Sequence, residues 1–152
     1  MRITTINQTG LDFIASNEGF VSRVYGDDAG VPTIGYGFTY YPATGKKVQH
    51  GDPNITELQA QSMLKLLIKP YEYAVSSVTR DDLTQNEFNA LVDFDYNVGH
   101  LKGSTLLKKV NAKQDVSTAF LMWDKIHKDG QLVADEGLKE RRLKEIKLYN
   151  TK

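Results

Sequence analysis

The sequence predicts an α+β fold, with a small β-hairpin near the N-terminus and a mainly helical remainder. Residues 21–36 alternate around an Asp/Gly-rich turn, which is typical of a hairpin. Beyond residue 55, two capping boxes each precede a run of apolar residues at helical spacing. With 152 residues, the chain is long enough to form one domain with a buried core.

Composition and charge exclude several classes of function. Nineteen Lys and Arg residues balance nineteen Asp and Glu residues, which argues against nucleic acid or an anionic membrane as the main partner. The absence of cysteine excludes disulfides, thiolate metal sites and a Cys nucleophile. The three histidines, His50, His100 and His127, are scattered, which argues against a zinc site or a Ser-His-Asp hydrolase. We therefore expect no metal and no cofactor.

The first ten residues, MRITTINQTG, lack the basic-then-apolar pattern of a signal peptide. The apolar runs elsewhere are too short to span a membrane. We therefore expect a protein that has no export signal of its own.

Two acidic residues stand on neighbouring predicted elements. A helix is predicted over residues 9–17, with Thr9 as its N-cap and Gly19 as its stop, so that Glu18 lies at its C-terminal end. The hairpin from Val21 to Tyr36 follows, and Asp27 opens its turn. Taken alone, Glu18 reads as a surface residue at a helix end, and Asp28 competes with Asp27 for a catalytic role.

Two carboxylates on different elements suit the hydrolysis of a sugar–sugar bond. One acid protonates the leaving oxygen, and the other carboxylate handles water or the developing cation. Thr33 stands six positions after Asp27 and adds a hydroxyl to this layout.

The spacing of Glu18, Asp27 and Thr33, together with Tyr25 and the string TIGYG, resembles the phage-type lysozymes. These are the endolysin muramidases of glycoside hydrolase family 24. Further matching strings follow in order along the chain: LTQNEFNALV, YNVG, STLLKKVN and GLKERRLKEIKLY. The resemblance covers the chain from about Leu11 to Tyr149, and its spacing selects Asp27 over Asp28.

The resemblance implies a single lysozyme-like catalytic domain over residues 1–152. It implies two lobes, roughly residues 12–55 and residues 56–152 plus the N-terminal helix, joined by a long helix with the active-site cleft between them. The implied partner is the peptidoglycan glycan strand, cut at the β-1,4 bond between N-acetylmuramic acid and N-acetylglucosamine. We also expect a monomer that is made in the host cytoplasm and reaches the cell wall with the help of a holin-like membrane protein.

Within this family we assign Glu18 as the general acid and Asp27 as the base or electrostatic partner. A hydroxyl can both donate to and accept from a water, so Thr33 is expected to position the attacking water, which favours inversion at the anomeric carbon. The alternative for Thr33 is a β-branched strand former. Two other functions stay open: a non-catalytic glycan-binding module on the same scaffold, and a lytic transglycosylase.

Two tyrosines are candidates for substrate binding. Tyr25 lies in the hairpin, and Tyr40 opens the stretch from Tyr40 to Lys47, which is predicted as a second small hairpin or an extended loop. An aromatic face there would stack on sugars, whereas the alternative is a solvated loop. At Phe38 the chain departs from the family, which commonly has a histidine in this place.

Helices are predicted after the capping boxes at Thr56 and Thr84, with Pro70 expected to kink or restart the first and Gly99 to end the second. Ser104 and Asp115 are predicted to cap two short helices, and Asp129-Gly130 to form a turn. Trp123 is expected to be buried, and the alternative is a place in the cleft. The sequence offers no account of Asp93 or Asp95.

The last helix is predicted to open at Gly137-Leu138, and it carries Arg141 and Arg142. They belong either to a salt-bridged surface helix or to a contact in which one of them orients Glu18.

Overall fold

The computed structural model describes all residues from 1 to 152 and confirms the α+β fold. The helices are α1 (Gln8–Glu18), α2 (Glu57–Val78), α3 (Gln85–Val98), α4 (Thr105–Asn111), α5 (Ser117–Leu121) and α6 (Glu136–Tyr149). The strands are β1 (Val21–Gly26), β2 (Pro32–Gly35), β3 (Lys125–Lys128) and β4 (Gln131–Ala134). None of the helices combines the length and the apolar character that crossing a membrane requires.

The chain divides into two compact units. The first unit spans Leu11–Lys69, and the second combines Met1–Gly10 with Pro70–Lys152. The predicted lobes have other boundaries than these units. Most of α1 and the first half of α2 belong to the first unit, whereas the prediction placed them in the larger lobe.

The start of α1 differs from the prediction. The helix begins at Gln8, so Thr9 lies inside it and is not the cap. Asn7 takes that role, because its Oδ1 accepts a hydrogen bond from the backbone N–H of Gly10 at 3.1 Å. The predicted stop is confirmed: Gly19 has φ +72° and donates its N–H to the carbonyl of Ala15 at 3.1 Å.

The predicted hairpin is confirmed as the antiparallel pair β1–β2. Tyr25 lies opposite Thr33, and Val21 lies opposite Gly35. Four positions separate Tyr25 from Val21 but only two separate Thr33 from Gly35, so β1 bulges between them.

Phe38 takes the place of the family's histidine as a buried residue. Its ring is 3% exposed and makes an edge contact with the ring of Tyr36 at 6.0 Å between centroids. A Cβ atom on Gly35 would lie 2.8 Å from the Phe38 ring, so glycine is what lets the ring approach the strand. Apolar packing therefore replaces the hydrogen bonding that a histidine would bring to this corner.

The stretch after Phe38 folds back on itself as a small hairpin. Tyr40 forms an isolated antiparallel bridge with Lys47, and the N–H of Tyr41 donates to the carbonyl of Lys46 at 2.8 Å. The Tyr41 hydroxyl donates to Asp52 at 2.8 Å and ties the base of this hairpin.

Both predicted capping boxes are present. At Thr56, the side chain accepts from the N–H of Gln59 while the Gln59 side chain accepts from the N–H of Thr56. Thr84 and Glu87 exchange the same pair of bonds at the start of α3. Gly99 ends α3 with φ +76°, as predicted.

Pro70 does not restart the helix. α2 runs through it as one element, because the proline removes only one backbone hydrogen bond and Ile68 and Val75 on either side are fully buried.

The remaining helix starts show smaller differences. Ser104 caps α4 as predicted. Asp115 bonds the N–H of Ser117 at 2.9 Å, although Val116 is the residue that precedes α5. Asp135 caps α6, which begins at Glu136, one residue before the predicted start.

The hairpin β3–β4 was predicted only as a turn. Asp129 and Gly130 both have positive φ, +52° and +77°, as a two-residue hairpin turn requires. Nearly all residues of its strands are exposed, so they show no alternation of apolar and polar side chains. This is why the strands on either side of the turn were missed.

Trp123 is half-buried, so the expectation of burial is met only in part. Its ring stacks on His100 at 5.8 Å between centroids and makes an edge contact with Phe94 at 5.9 Å, and these two rings cover part of it.

Candidate active site

Glu18 is the last residue of α1 and is half-buried. The helix is fixed beneath it by Leu11, Ile14 and Ala15, which are all buried in the first unit. The left-handed Gly19 then turns the chain into β1 within three residues. Glu18 therefore stands at a fixed helix end, three positions before the first strand of the hairpin.

Asp27 follows directly after β1 and is exposed. Its Oδ1 accepts two backbone hydrogen bonds, from Ala29 and from Val31, each at 2.9 Å. Its own N–H donates to the carbonyl of Val31 at 3.0 Å, and its carbonyl accepts from Gly30 at 2.8 Å. Because Oδ1 accepts both of these side-chain hydrogen bonds, the orientation of the carboxylate is fixed, and Oδ2 can accept a hydrogen bond from a ligand or a water.

Thr33 lies in β2 and is 3% exposed. Its hydroxyl donates to the carbonyl of Val31 at 2.8 Å, so the hydrogen is occupied and the oxygen lone pairs remain as acceptors. Residues opposite each other in an antiparallel pair have side chains on the same face, so Tyr25 and Thr33 share a face of the hairpin. Val31 contacts both Asp27 and Thr33 and thereby links them.

Of the predicted site residues, the first unit contains five: Glu18, Tyr25, Asp27, Thr33 and Tyr40. The hairpin brings Tyr25, Asp27 and Thr33 together. Tyr40 belongs to the following small hairpin, where its side chain is 43% exposed.

The two arginines lie in α6 and form salt bridges, as one interpretation predicted, but they are buried, so their expected place on the surface was wrong. Arg141 forms a two-pronged ion pair with Asp93 of α3, at 2.8 and 3.1 Å. Arg142 is fully buried, pairs with Glu145 at 2.9 Å, and lies 5.2 Å from the centre of the Phe94 ring. Support of Glu18 by either arginine stays a prediction.

This buried ionic cluster explains one residue that the sequence left unassigned. Asp93 is fully buried because Arg141 neutralises it. Burial, and next the neighbouring Asp93 carboxylate, raises the pKa of Glu145 well above its usual value. Asp95 has a different task, since its Oδ1 accepts the N–H of Leu101 at 3.1 Å and fixes the chain after α3.

The hydrogen-bonded pair of Tyr36 and Glu57 lies in the first unit, beside the end of α1. Tyr36 is 2% exposed and donates its hydroxyl to Glu57 at 3.0 Å, and burial and this bond raise the pKa of Tyr36. A cavity of about 300 Å³ adjoins it, lined in part by Gly19 and Phe20. The TIGYG string pointed to this tyrosine only as part of a motif. No group of three or more His, Asp or Glu side chains is arranged to hold a metal ion.

Comparison with known proteins identifies what this chain resembles. The family profile described as Phage lysozyme matches residues 15–145. The endolysin of Salmonella phage P22 is 34% identical over 142 residues, which cover 91% of this chain and 96% of that protein.

Two solved structures give the same result for the fold. The endolysin from Escherichia coli O157:H7 phage FAHEc1 superimposes with a TM-score of 0.88 at 36% identity, covering 96% of this chain and 93% of that one. The muramidase domain of SpmX, from a species of Asticaccaulis, superimposes with a TM-score of 0.82 at 28% identity, covering 97% and 99%. The fold of the chain is therefore lysozyme-like.

Proposed function

Because this chain belongs to the phage lysozyme family, we propose that Glu18, Asp27 and Thr33 are the residues with which it cuts peptidoglycan. The protein is a lysozyme-type glycoside hydrolase, an endolysin that acts on peptidoglycan. The bond that we assign to it is the β-1,4 linkage between N-acetylmuramic acid and N-acetylglucosamine. The observation that carries the assignment of residues is the β1–β2 register, which sets Thr33 opposite Tyr25 with the ordered Asp27 at the end of the strand.

Glu18 acts as the general acid in this proposal. Its position on a helix end that is fixed by buried residues supports the role, because a proton donor needs a constant distance to the leaving oxygen. The proton passes from the Glu18 carboxyl to the glycosidic oxygen as the bond to the anomeric carbon breaks.

Asp27 and Thr33 act together on the attacking water. The hydrogen of the Thr33 hydroxyl is engaged with the Val31 carbonyl, so Thr33 accepts one hydrogen of the water and Asp27 Oδ2 accepts the other. The water's lone pair then points at the anomeric carbon, and Asp27 takes the proton as the new bond forms. A water between the carboxylate and the sugar gives inversion of configuration.

The test of the acid is Glu18→Gln, which keeps the shape of the side chain and removes the proton. We expect lysis of a peptidoglycan suspension to fall by about a hundredfold or more, with unchanged thermal unfolding. Asp28→Asn is the matched control, since it also removes one carboxylate from the same region, and Asp28 is exposed in the turn. A Gln variant that kept a large share of the wild-type rate would refute the assignment of Glu18.

Further proposals concern the cell and the substrate. We propose that Tyr25 and Tyr40 bind the glycan, that the protein is a monomer made in the host cytoplasm, and that a holin-like membrane protein releases it. Expressed alone in a bacterium, the protein should accumulate without prompt lysis, and a co-expressed pore-forming protein should then trigger lysis. Prompt lysis without the pore would contradict the need for a releasing partner.

A further inference from the structure

The second unit contains a groove of about 370 Å³. Its apolar lining consists of Val98, Met122, Trp123, Leu132 and Leu138. The volume lies within the range of pockets that hold small ligands, about 300–1,000 Å³. None of the proposed catalytic residues belongs to it.

The side-chain amide of Asn97 is the uncharged polar group of this lining that can hydrogen-bond to a ligand. Its Oδ1 accepts a hydrogen bond from Nη2 of Arg142 at 2.7 Å. Because a guanidinium group only donates, the amide must turn its oxygen towards Arg142 and its Nδ2 away from it. Asn97 lines the groove, so the two hydrogens of Nδ2 are the donors that its side chain can offer to a ligand there.

The orientation of the Asn97 amide depends on Arg142, which is itself fixed by its neighbours. Arg142 is fully buried, is fixed by Glu145, and donates to the backbone carbonyl of Trp123 at 3.3 Å. The Trp123 ring is fixed by its stacking on His100. Arg142 thus holds both the Asn97 amide and the backbone of Trp123.

The charges around the groove favour a neutral ligand. Arg142 is hydrogen-bonded to Glu145, and Asp124 lies 3.0 Å from the amine of Lys125, so both of these basic groups have an acidic partner. The third ionisable group of the lining is His127.

We propose that this groove binds the N-acetyl group of a sugar in the peptidoglycan strand, with Asn97 as a specificity-determining residue. The inference rests on the proposed function, which makes an N-acetylated glycan the substrate. Nδ2 of Asn97 donates to the acetamide carbonyl, and the apolar lining beside Trp123 takes the methyl group. An acetamide offers one acceptor and one methyl group, which is the complement of this lining.

The variant that tests it is Asn97→Asp. The carboxylate keeps an acceptor for Arg142 but lacks the amide hydrogens, so the buried pair retains its partner. On N-acetylated glycan strands we expect kcat/KM to fall about tenfold, the worth of a well-placed hydrogen bond. On chemically N-deacetylated strands the variant should show no such loss, because the free amine cannot accept from Nδ2 and can pair with the new carboxylate. An equal loss on both kinds of strand, or no loss on either, would overturn the proposal.

A binding measurement gives a readout that does not need turnover. Trp123 is the single tryptophan of the chain, so its fluorescence reports on the groove. In the Glu18→Gln background, oligomers of N-acetylglucosamine should change this fluorescence, and adding Asn97→Asp should raise the Kd about tenfold. A fluorescence titration with the same Kd in both proteins would overturn the role of Asn97.

The β3–β4 hairpin offers a matched pair of substitutions that test the apolar lining of the groove. Leu132 lines the groove opposite His127, whereas Ile126 pairs with Val133 on the other face of the same two strands. Leu132→Ser should weaken the binding of N-acetylglucosamine oligomers, and Ile126→Ser should not. Equal effects of the two substitutions would contradict the placement of the methyl group.

A last experiment distinguishes the N-acetyl group of the sugar from a similar group in the stem peptide. An alanyl amide of the stem peptide also combines a carbonyl with a methyl group. On glycan strands stripped of their stem peptides by an amidase, the Asn97→Asp defect should persist, and its disappearance would overturn the assignment to the sugar. A failure of the proposed function itself looks different, because wild type would then release no reducing ends from any strand.

Discussion

The two carboxyl groups of the proposed site are fixed by different means. Glu18 takes its position from the helix that it ends and is half-buried, whereas Asp27 is exposed and oriented by two backbone N–H groups on one oxygen. The proposed roles fit these positions: a fixed helix end keeps the acid at a constant distance from the leaving oxygen, and an oriented carboxylate can accept a hydrogen bond from water.

At the residue scale, Thr33 gives the most specific prediction. Thr33→Val keeps the β-branched shape but removes the hydroxyl, so the water loses an acceptor and the Val31 carbonyl loses its donor at 2.8 Å. We expect most of the activity to disappear and the free energy of unfolding to fall by about 1 kcal/mol. Rates of lysis and thermal unfolding measure the two effects.

Thr33→Ser is the control, because it restores the hydroxyl without the methyl group. It should recover a large part of the activity. If Thr33→Val were as active as Thr33→Ser, the threonine would serve the strand alone.

At the scale of elements, local side-chain chemistry was readable and long-range pairing was not. The boxes at Thr56 and Thr84 were predicted correctly because cap and partner stand three residues apart. Asp93 was left without explanation because its partner Arg141 is 48 positions away and no local pattern joins them.

The proposed catalytic residues could be suggested from the sequence for a similar reason. Glu18, Asp27 and Thr33 lie within one short stretch, and their spacing together with the string TIGYG pointed to them. The groove around Asn97 takes its lining from α3, from α6 and from the stretch that follows α5 and includes β3 and β4, and only the fold brings these together.

The contact between α3 and α6 carries its own prediction. Asp93→Asn removes the charge that balances the buried Arg141, although Glu145 lies 4.0 Å from the same guanidinium. We expect a loss of about 3 kcal/mol in the free energy of unfolding, as for a broken buried ion pair. Denaturant titration measures it.

The double variant Asp93→Leu/Arg141→Leu removes both charges and fills the space with apolar side chains. It should be more stable than Asp93→Asn, because no buried charge is left unbalanced. A double variant that was the less stable of the two would mean that the pair contributes more than charge balance.

For the whole molecule, two tyrosines set the behaviour at high pH. Burial, followed by a hydrogen bond to Asp52, raises the pKa of Tyr41 to about 12, and burial and then Glu87 raise the pKa of Tyr149 to about 12. In the unfolded chain both would ionise near the usual value of 10.0. Their contribution to stability is complete below that value and is lost as the pH rises through the folded pKa.

We therefore expect the melting temperature to fall between about pH 10 and pH 12. Tyr41→Phe and Tyr149→Phe should each make that fall less steep, because phenylalanine has no proton to lose. Thermal unfolding measured across this range checks it, and an unchanged slope in both variants would show that other groups control it.

The stereochemistry of cleavage distinguishes a water held by Asp27 and Thr33 from the other possible mechanisms. If Asp27 and Thr33 hold a water for attack while Glu18 protonates the leaving oxygen, the first product has the α-anomer at its new reducing end. NMR spectra recorded early during the hydrolysis of glycan strands distinguish the anomers before they equilibrate. The account predicts the α-anomer; an initial β-anomer would mean retention with a covalent intermediate, and a 1,6-anhydro end would mean a transglycosylase, and either would contradict it.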